Sequence, residues 1–272
     1  MNLDGKVLAL TGAGGIAEPI IKVAVQAGAK VYFTYFGNVD NAKRIESETG
    51  AIPFHFILGD QDSTRSFLYS LKENPIDYFI STAGVEYSGG FEQQPWNTSP
   101  GRKRDSIDQG IKEVSDKSVG NQYLVNALVG EEIMAEGGQI SIVGSMMSRG
   151  RQGMASYAAA NASLAAYVKS INFELERLNK RNIGVLLVEA MFVDDKMAEN
   201  GIRMATRAIT RANGEEGLQE VKNRHIIMTP EYAADKILAW TLDPCKTGVK
   251  SLPNRSLREL ERYMSPMAKF NP

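Results

Sequence analysis

Three side chains between Gly144 and Asn161 have types and spacing suited to proton chemistry on a small molecule. Ser145 closes an apolar run, Gln139-Ile140-Ser141-Ile142-Val143, that reads as a buried strand. Tyr157 follows twelve residues later, on a helix predicted to begin near Ser156, and Asn161 stands one turn beyond it. A phenol can give or take a proton, and a hydroxyl can orient a reacting oxygen. An ordinary phenol titrates at about pH 10, so as a base at neutral pH it needs a cation close by. Asn161 carries no charge; Arg149 and Arg151, in the short Arg/Gly-rich loop before the helix, are the nearest cations in sequence. Taken singly, Ser145 also fits a strand-end hydroxyl capping the next turn, and Tyr157 a buried helix tyrosine. Their joint spacing favours a site.

The elements that must position these residues alternate between strand and helix along the whole chain. Lys6 to Leu10 is predicted as the first strand, and Thr11-Gly12-Ala13-Gly14-Gly15-Ile16-Ala17 follows at once, with a helix from Glu18 to about Ala27. Gly28-Ala29-Lys30 turns into a second strand, Val31 to Tyr35. Such a strand–glycine loop–helix–strand unit opens a nucleotide-binding fold. The glycines allow close approach to a pyrophosphate, and the helix amino terminus offers N–H groups and a positive dipole end. The spacing further predicts a helix over Val39–Glu48, strands over Ile52–Leu58 and Asp77–Ile80, and a helix over Ser63–Lys72 between them. A long helix is predicted over Ile107–Ala135 and a sixth strand over Ile183–Val188. A helix from Thr229-Pro230-Glu231 to about Leu242 and a seventh strand over Thr247–Leu252 complete the pattern. The expected fold is α/β: a doubly wound, Rossmann-type three-layer αβα arrangement with about seven parallel strands, in one domain over residues 1–272.

The serine-to-tyrosine segment, with this alternation, resembles the short-chain dehydrogenase/reductase family. The resemblance implies a carbonyl–alcohol oxidoreductase using NAD or NADP. Tyr157 would be its general acid/base and Ser145 would orient the substrate oxygen. The family carries a lysine four residues after the tyrosine, which binds the nicotinamide ribose and whose charge lowers the tyrosine pKa; this chain has Asn161 there. A family asparagine on the preceding long helix helps hold a water in a proton relay with that lysine, and alignment on Asp116 and Tyr123-Leu124-Val125 places it at Ser118. The glycine loop resembles the family's TGxxxGxG motif, one residue shorter, with Ala17 where the third glycine belongs; Gly12, Gly14, Gly15 and Ile16 are the expected phosphate contacts. Tyr35 and Asn38 lie where the ribose is read, with Lys43 and Arg44 on the next helix, and do not distinguish NAD from NADP. Asp60 resembles an adenine-contacting aspartate, with Asp62 as the cap of the following helix. Ser81-Thr82-Ala83-Gly84 stands for the family's NNAG, which makes Ala83 and Gly84 cofactor contacts. After the sixth strand Ala190, Met191 and Asp195 replace the family's proline, glycine and threonine; Ala190, Met191, Val193 and Asn161 are the expected nicotinamide-side contacts. Residues 192–228 occupy the place of a substrate-binding loop, and 253–272 form a tail. Tyr87, Met146, Arg151 and Phe192 are the candidate substrate contacts, for a small apolar or aromatic compound.

Bulk properties narrow the alternatives. A net charge of −1 gives no electrostatic footprint for nucleic acid or anionic membrane. A single cysteine, Cys245, precludes an internal disulfide, and His55 and His225 form no metal-ligand cluster. No signal peptide or membrane span is read, so the expectation is a cytoplasmic, homo-oligomeric (dimeric or tetrameric) protein with a small-molecule substrate. The altered positions keep two other readings open: proton-transfer chemistry such as dehydration or isomerisation, and a non-catalytic binding or subunit partner. Redox activity stands ahead of both.

Overall fold

The computed structural model describes residues 1–83, 112, 114–150, 155–178, 182–190, 192–193, 199–223, 227–244 and 247–252. Its centre is a seven-stranded sheet in the order β3-β2-β1-β4-β5-β6-β9, every neighbouring pair parallel. The strands are β1 (Val7–Thr11), β2 (Lys30–Tyr35), β3 (Ile52–His55), β4 (Ile76–Ser81), β5 (Met134–Ser145), β6 (Gly184–Ala190) and β9 (Gly248–Leu252). β7 (Phe192–Val193) and β8 (Ile227–Met228) form a separate parallel pair.

Parallel strands linked by helical crossovers are covered on both faces, which is why these strands read as nearly continuous apolar runs. Alternate residues of β1 serve two cores: Leu8 and Leu10 join one, Ala9 the other. The first core takes Ile20 and Ile21 from α1 (Ala17–Gln26), Ala42 and Ile45 from α2 (Val39–Thr49), and Ile237 and Leu238 from α7 (Pro230–Thr241). The second takes Phe67 from α3 (Gln61–Leu71), Leu124 from α4 (Gly120–Gly130) and Leu164 from α5 (Ala155–Arg177). The three-layer, doubly wound expectation is met.

Several boundaries move. The helix expected to reach Ala135 stops at Gly130, and Glu132 takes a left-handed φ of 58° that turns the chain into β5. β5 therefore begins at Met134, paired with Ile76 ahead of a register irregularity. β3, at the sheet edge, ends at His55 instead of Leu58. The cap of α3 is Asp60, whose carboxylate accepts from Ser63 N at 2.6 Å; Asp62 lies in the first turn, 3.3 Å from Arg65. Within residues 192–228, α6 (Glu199–Asn223) is interrupted at Gly214, with φ 68° and ψ −172°. Thr229 caps α7 through Tyr232 N at 3.2 Å, with Pro230 at the first helical position, as its sequence predicts.

Candidate active site

The chain leaves β1 through the glycine turn. Gly12 (φ 107°) and Gly15 (φ 51°) occupy left-handed backbone that favours glycine. A methyl at Gly12 would lie 2.6 Å from Thr82 Oγ1 and 3.5 Å from Ala17 Cβ. Ala17 is fully buried, so the small third position serves close helix–strand packing. No side chain caps the start of α1 at Ile16. Glycines with open backbone at Gly14, followed by an uncapped ten-residue helix, fit a pyrophosphate group.

β1 and β4 are neighbours whose chains continue to opposite sides, the crevice where such sheets take ligands. Hydroxyls fasten it. Thr11 Oγ1 and Ser81 Oγ are 3.0 Å apart, Ala83 N donates to Thr11 Oγ1 at 3.1 Å, and Thr82 Oγ1 donates to Thr11 O at 2.5 Å. Gly12 N donates to Thr34 Oγ1 at 3.1 Å, and Asn41 Nδ2 to Ala13 O at 2.6 Å, holding the glycine turn from the side of β2 and α2. Ser81 and Thr82, read as departures from a family motif, are thus structural ties.

Ser145 ends β5 opposite Ala190 of β6. Its Oγ accepts from Met147 N at 3.2 Å, capping a 3₁₀ turn, Met146–Arg149. The capping alternative is therefore realised, and it occupies a lone pair while leaving the hydroxyl proton available. The turn packs against α5, which carries Tyr157, itself 8% exposed.

Asn161 is fully buried, and its Nδ2 donates to Tyr157 O at 2.8 Å. Its Oδ1 has no hydrogen-bond partner among the described residues. The amide nitrogen is thus taken by its own helix, which leaves Oδ1 as the atom that could meet a ribose hydroxyl. Ser118 is buried too, but its hydroxyl meets Ser163 Oγ and accepts from Gln122 at 3.1 Å, so its bonds run away from Tyr157. Met146 is 0% exposed and offers no surface to a substrate. Asn38 caps α2 through Asn41 N at 3.1 Å, and Tyr35 stands edge-on to His55 with centroids 5.7 Å apart. Ala190 and Val193 are buried behind the sheet's carboxyl edge. Gly84, Tyr87, Arg151 and Met191 lie outside the described residues, as does the side chain of Phe192.

The sequence reading missed Lys117. It belongs to a π turn, Ser115–Val119, leading into α4, and is 5% exposed. Its Nζ lies 3.5 Å from Tyr157 Oη and 4.5 Å from the centre of the Tyr157 ring. The available signal was periodicity: Lys117, Asn121, Leu124 and Leu128 fall on one inward stripe, and all four are buried. Arg149, one of the two cations suggested for Tyr157, donates to Ser251 at 3.2 Å and lies 3.7 Å from Glu189. Arg44 is engaged by Glu18 at 2.7 Å and Glu48 at 2.9 Å, so a 2′-phosphate would compete with two carboxylates for it.

Known proteins share this frame. A relative from Escherichia coli (strain K12), the cyclic-di-GMP-binding biofilm dispersal mediator protein, is 31% identical over 167 residues, covering 61% of this chain and 64% of that protein's length. The 3-oxoacyl-(acyl-carrier-protein) reductase FabG of the same organism is 26% identical over 246 residues, 86% of this chain and 93% of FabG. The crystal structure of BdcA in complex with NADPH superposes with a TM-score of 0.71 at 21% identity, covering 92% of this chain and 93% of BdcA. No helix among the described residues is long and apolar enough to cross a membrane. A family model described as short chain dehydrogenase matches residues 6–206, and the chain belongs to that family.

Proposed function

We propose that the protein is an NAD(P)-dependent oxidoreductase that interconverts a carbonyl and an alcohol on a small apolar or aromatic substrate. The observation carrying this reading is placement: the glycine turn after β1 and the Ser145–Tyr157 pair after β5 open at the same, carboxyl edge of one parallel sheet. A dinucleotide there would be held by Gly12, Gly14, Gly15 and Ile16 at its phosphates, by Tyr35 and Asn38 toward its adenosine ribose, and by the Ala83 backbone. Its nicotinamide, when bound, supplies or accepts the hydride. BdcA, of the same fold, was solved with NADPH, which supports the choice of cofactor class.

The residues of the chain do the rest. In the reducing direction Tyr157 Oη gives its proton to the substrate oxygen, and in the oxidising direction it takes one from the alcohol. Ser145 accepts from Met147 N, which leaves its own proton free to hold that oxygen. Oligomeric assembly belongs to the same reading; Val119 and Phe173, 57% and 72% exposed, support it, and sedimentation as a monomer would remove it.

Calorimetric titration with NAD(H) and NADP(H) is the test, followed by a screen of carbonyl and alcohol substrates. Micromolar binding of at least one cofactor is expected. Tyr157→Phe should keep that binding and lower turnover by about a hundredfold or more. Failure to bind any of the four nucleotides would end the redox reading.

A further inference from the structure

Glu189 is the one carboxylate side chain buried among the described residues. It lies in β6, beside Gly144 of β5 on one side and Ser251 of β9 on the other. Taking a carboxylate out of water is costly unless donors replace the water it loses. Two serine hydroxyls do so here. Ser148 Oγ donates to Glu189 Oε1 at 2.5 Å, and Ser251 Oγ donates to Oε2 at 3.1 Å. Arg149 Nη2 is 3.7 Å from Oε2, beyond hydrogen-bond reach, and donates to Ser251 Oγ at 3.2 Å instead. The shorter bond, from Ser148, falls in the range of charge-assisted O–H···O⁻ pairs. A buried carboxylate held in this way adds little net stability over an apolar side chain of its size. Its contribution is geometric: it fixes where Ser148 lies.

Ser148 belongs to the 3₁₀ turn that follows Ser145. Consecutive residues of β6 grip the two ends of that turn. Ala190 is the register partner of Ser145 at its start, and Glu189 binds Ser148 three residues on. Between these holds Met147 N donates to Ser145 Oγ at 3.2 Å, and Gly150 N donates to Met147 O at 2.9 Å. So short a turn has few bonds of its own. Met146 and Met147 are buried and keep it down by packing, which is non-directional; the Ser148 bond supplies the direction. With Ser148 released, the turn loosens, and the Ser145 hydroxyl loses the donor that sets its rotamer.

We infer that Glu189 is a positioning residue for Ser145: by holding Ser148 it closes the turn whose amide, Met147 N, fixes the Ser145 hydroxyl. The inference rests on the reading of Ser145 as the hydroxyl that orients the substrate oxygen. Glu189 acts through Ser148 and the turn.

The test has a readout that needs no substrate. Amide hydrogen exchange of the nitrogen-15-labelled protein reports opening of the bond from Met147 N to Ser145 Oγ. Glu189→Met keeps the length of the side chain and removes both acceptors. It should speed exchange at Met147 by about tenfold or more relative to the amides of β1, the effect of losing one hydrogen bond to a charged group. Glu189→Gln, which keeps one acceptor oxygen, should lie closer to the wild type. Ser148→Ala removes the other partner and should match Glu189→Met, and the double variant should exchange no faster than either single one. Ser148→Ala also decides the matter if Glu189→Met does not fold. In the active enzyme both variants should lower kcat with the cofactor Kd unchanged, and neither should lower it further in a Ser145→Ala background. An unmoved Met147 amide in these variants, additive effects in the double variant, or full kcat despite faster exchange overturns the inference. Faster exchange in a protein that turns over no carbonyl or alcohol removes the oxidoreductase reading and leaves Glu189 as the residue that holds the Ser145 turn.

Discussion

Replacing Gly144 by alanine tests whether the approach of α5 to β5 sets the site. Gly144 lies in β5, outside the set of glycines with positive φ, so alanine meets no backbone strain there. Its methyl would, however, lie 2.9 Å from Leu187 Cδ1 and 3.3 Å from Asn161 Oδ1. Favourable carbon–carbon contact begins at about 3.5 Å, so the shortfall toward Leu187 is roughly half an ångström. Neither neighbour has room: Leu187 and Asn161 are both 0% exposed, and Asn161 is anchored to Tyr157 O. Overpacking of this kind costs about 1–3 kcal/mol, while losing a glycine from the unfolded chain returns about 0.4–1 kcal/mol. The net expectation is a destabilisation of about 1–2 kcal/mol, read from parallel urea unfolding curves. Because relief comes by moving α5 outward, Tyr157 should shift with it and turnover should fall further than stability explains. Leu187→Val in the same chain should restore part of both. A Gly144→Ala protein as stable as the wild type would refute the packing argument.

Two further outcomes concern the surface between α1 and α2. Glu18→Gln releases Arg44 from one of its two carboxylates, so affinity for NADPH should rise relative to NADH by about three- to tenfold, checked by calorimetry. The same cluster gives an acid-side stability term. Burial raises the Glu18 carboxyl, but hydrogen bonds from Arg44 and Lys22 and their charges outweigh it and hold the group below 4.5. Hydrogen bonds from the same two residues lower Glu48. Since both folded-state values lie below the unfolded ones, the contribution is complete above the ordinary carboxylate range and disappears as pH falls through the lowered values. Urea midpoints measured from about pH 6 down to pH 3 should fall less steeply in Arg44→Ala than in the wild type, and added salt should blunt the difference.

The strand–helix alternation, the three layers and the placement of Ser145 at a strand end and Tyr157 on the next helix were legible because they rest on strong local patterns: apolar runs, the glycine turn and the serine–tyrosine spacing. The errors arose where a local pattern admits two partners. Asp60 and Asp62 are both chemically able to cap α3, and only the path of the chain selects Asp60. Ser118 was placed by alignment within a helix taken as regular, whereas the π turn over Ser115–Val119 changes the phase and aims Lys117 at Tyr157. Asn161 was read as a nicotinamide-side contact from its place one turn after Tyr157; its Nδ2 is taken by the carbonyl one turn back, which the sequence alone does not show. Met146 was expected to face a ligand from its place beside Ser145, but the 3₁₀ turn folds it into the interior.

The two ends of the sheet bear on how the folded chain behaves when concentrated. Among the described residues, one end is β3, only Ile52-Pro53-Phe54-His55, and the other is β9, which carries the exposed Lys250. A strand docking on β3 would meet a proline with no N–H to give, and one docking on β9 would have to cover a lysine. Both margins thus discourage the endless strand-upon-strand growth that leads to fibrils.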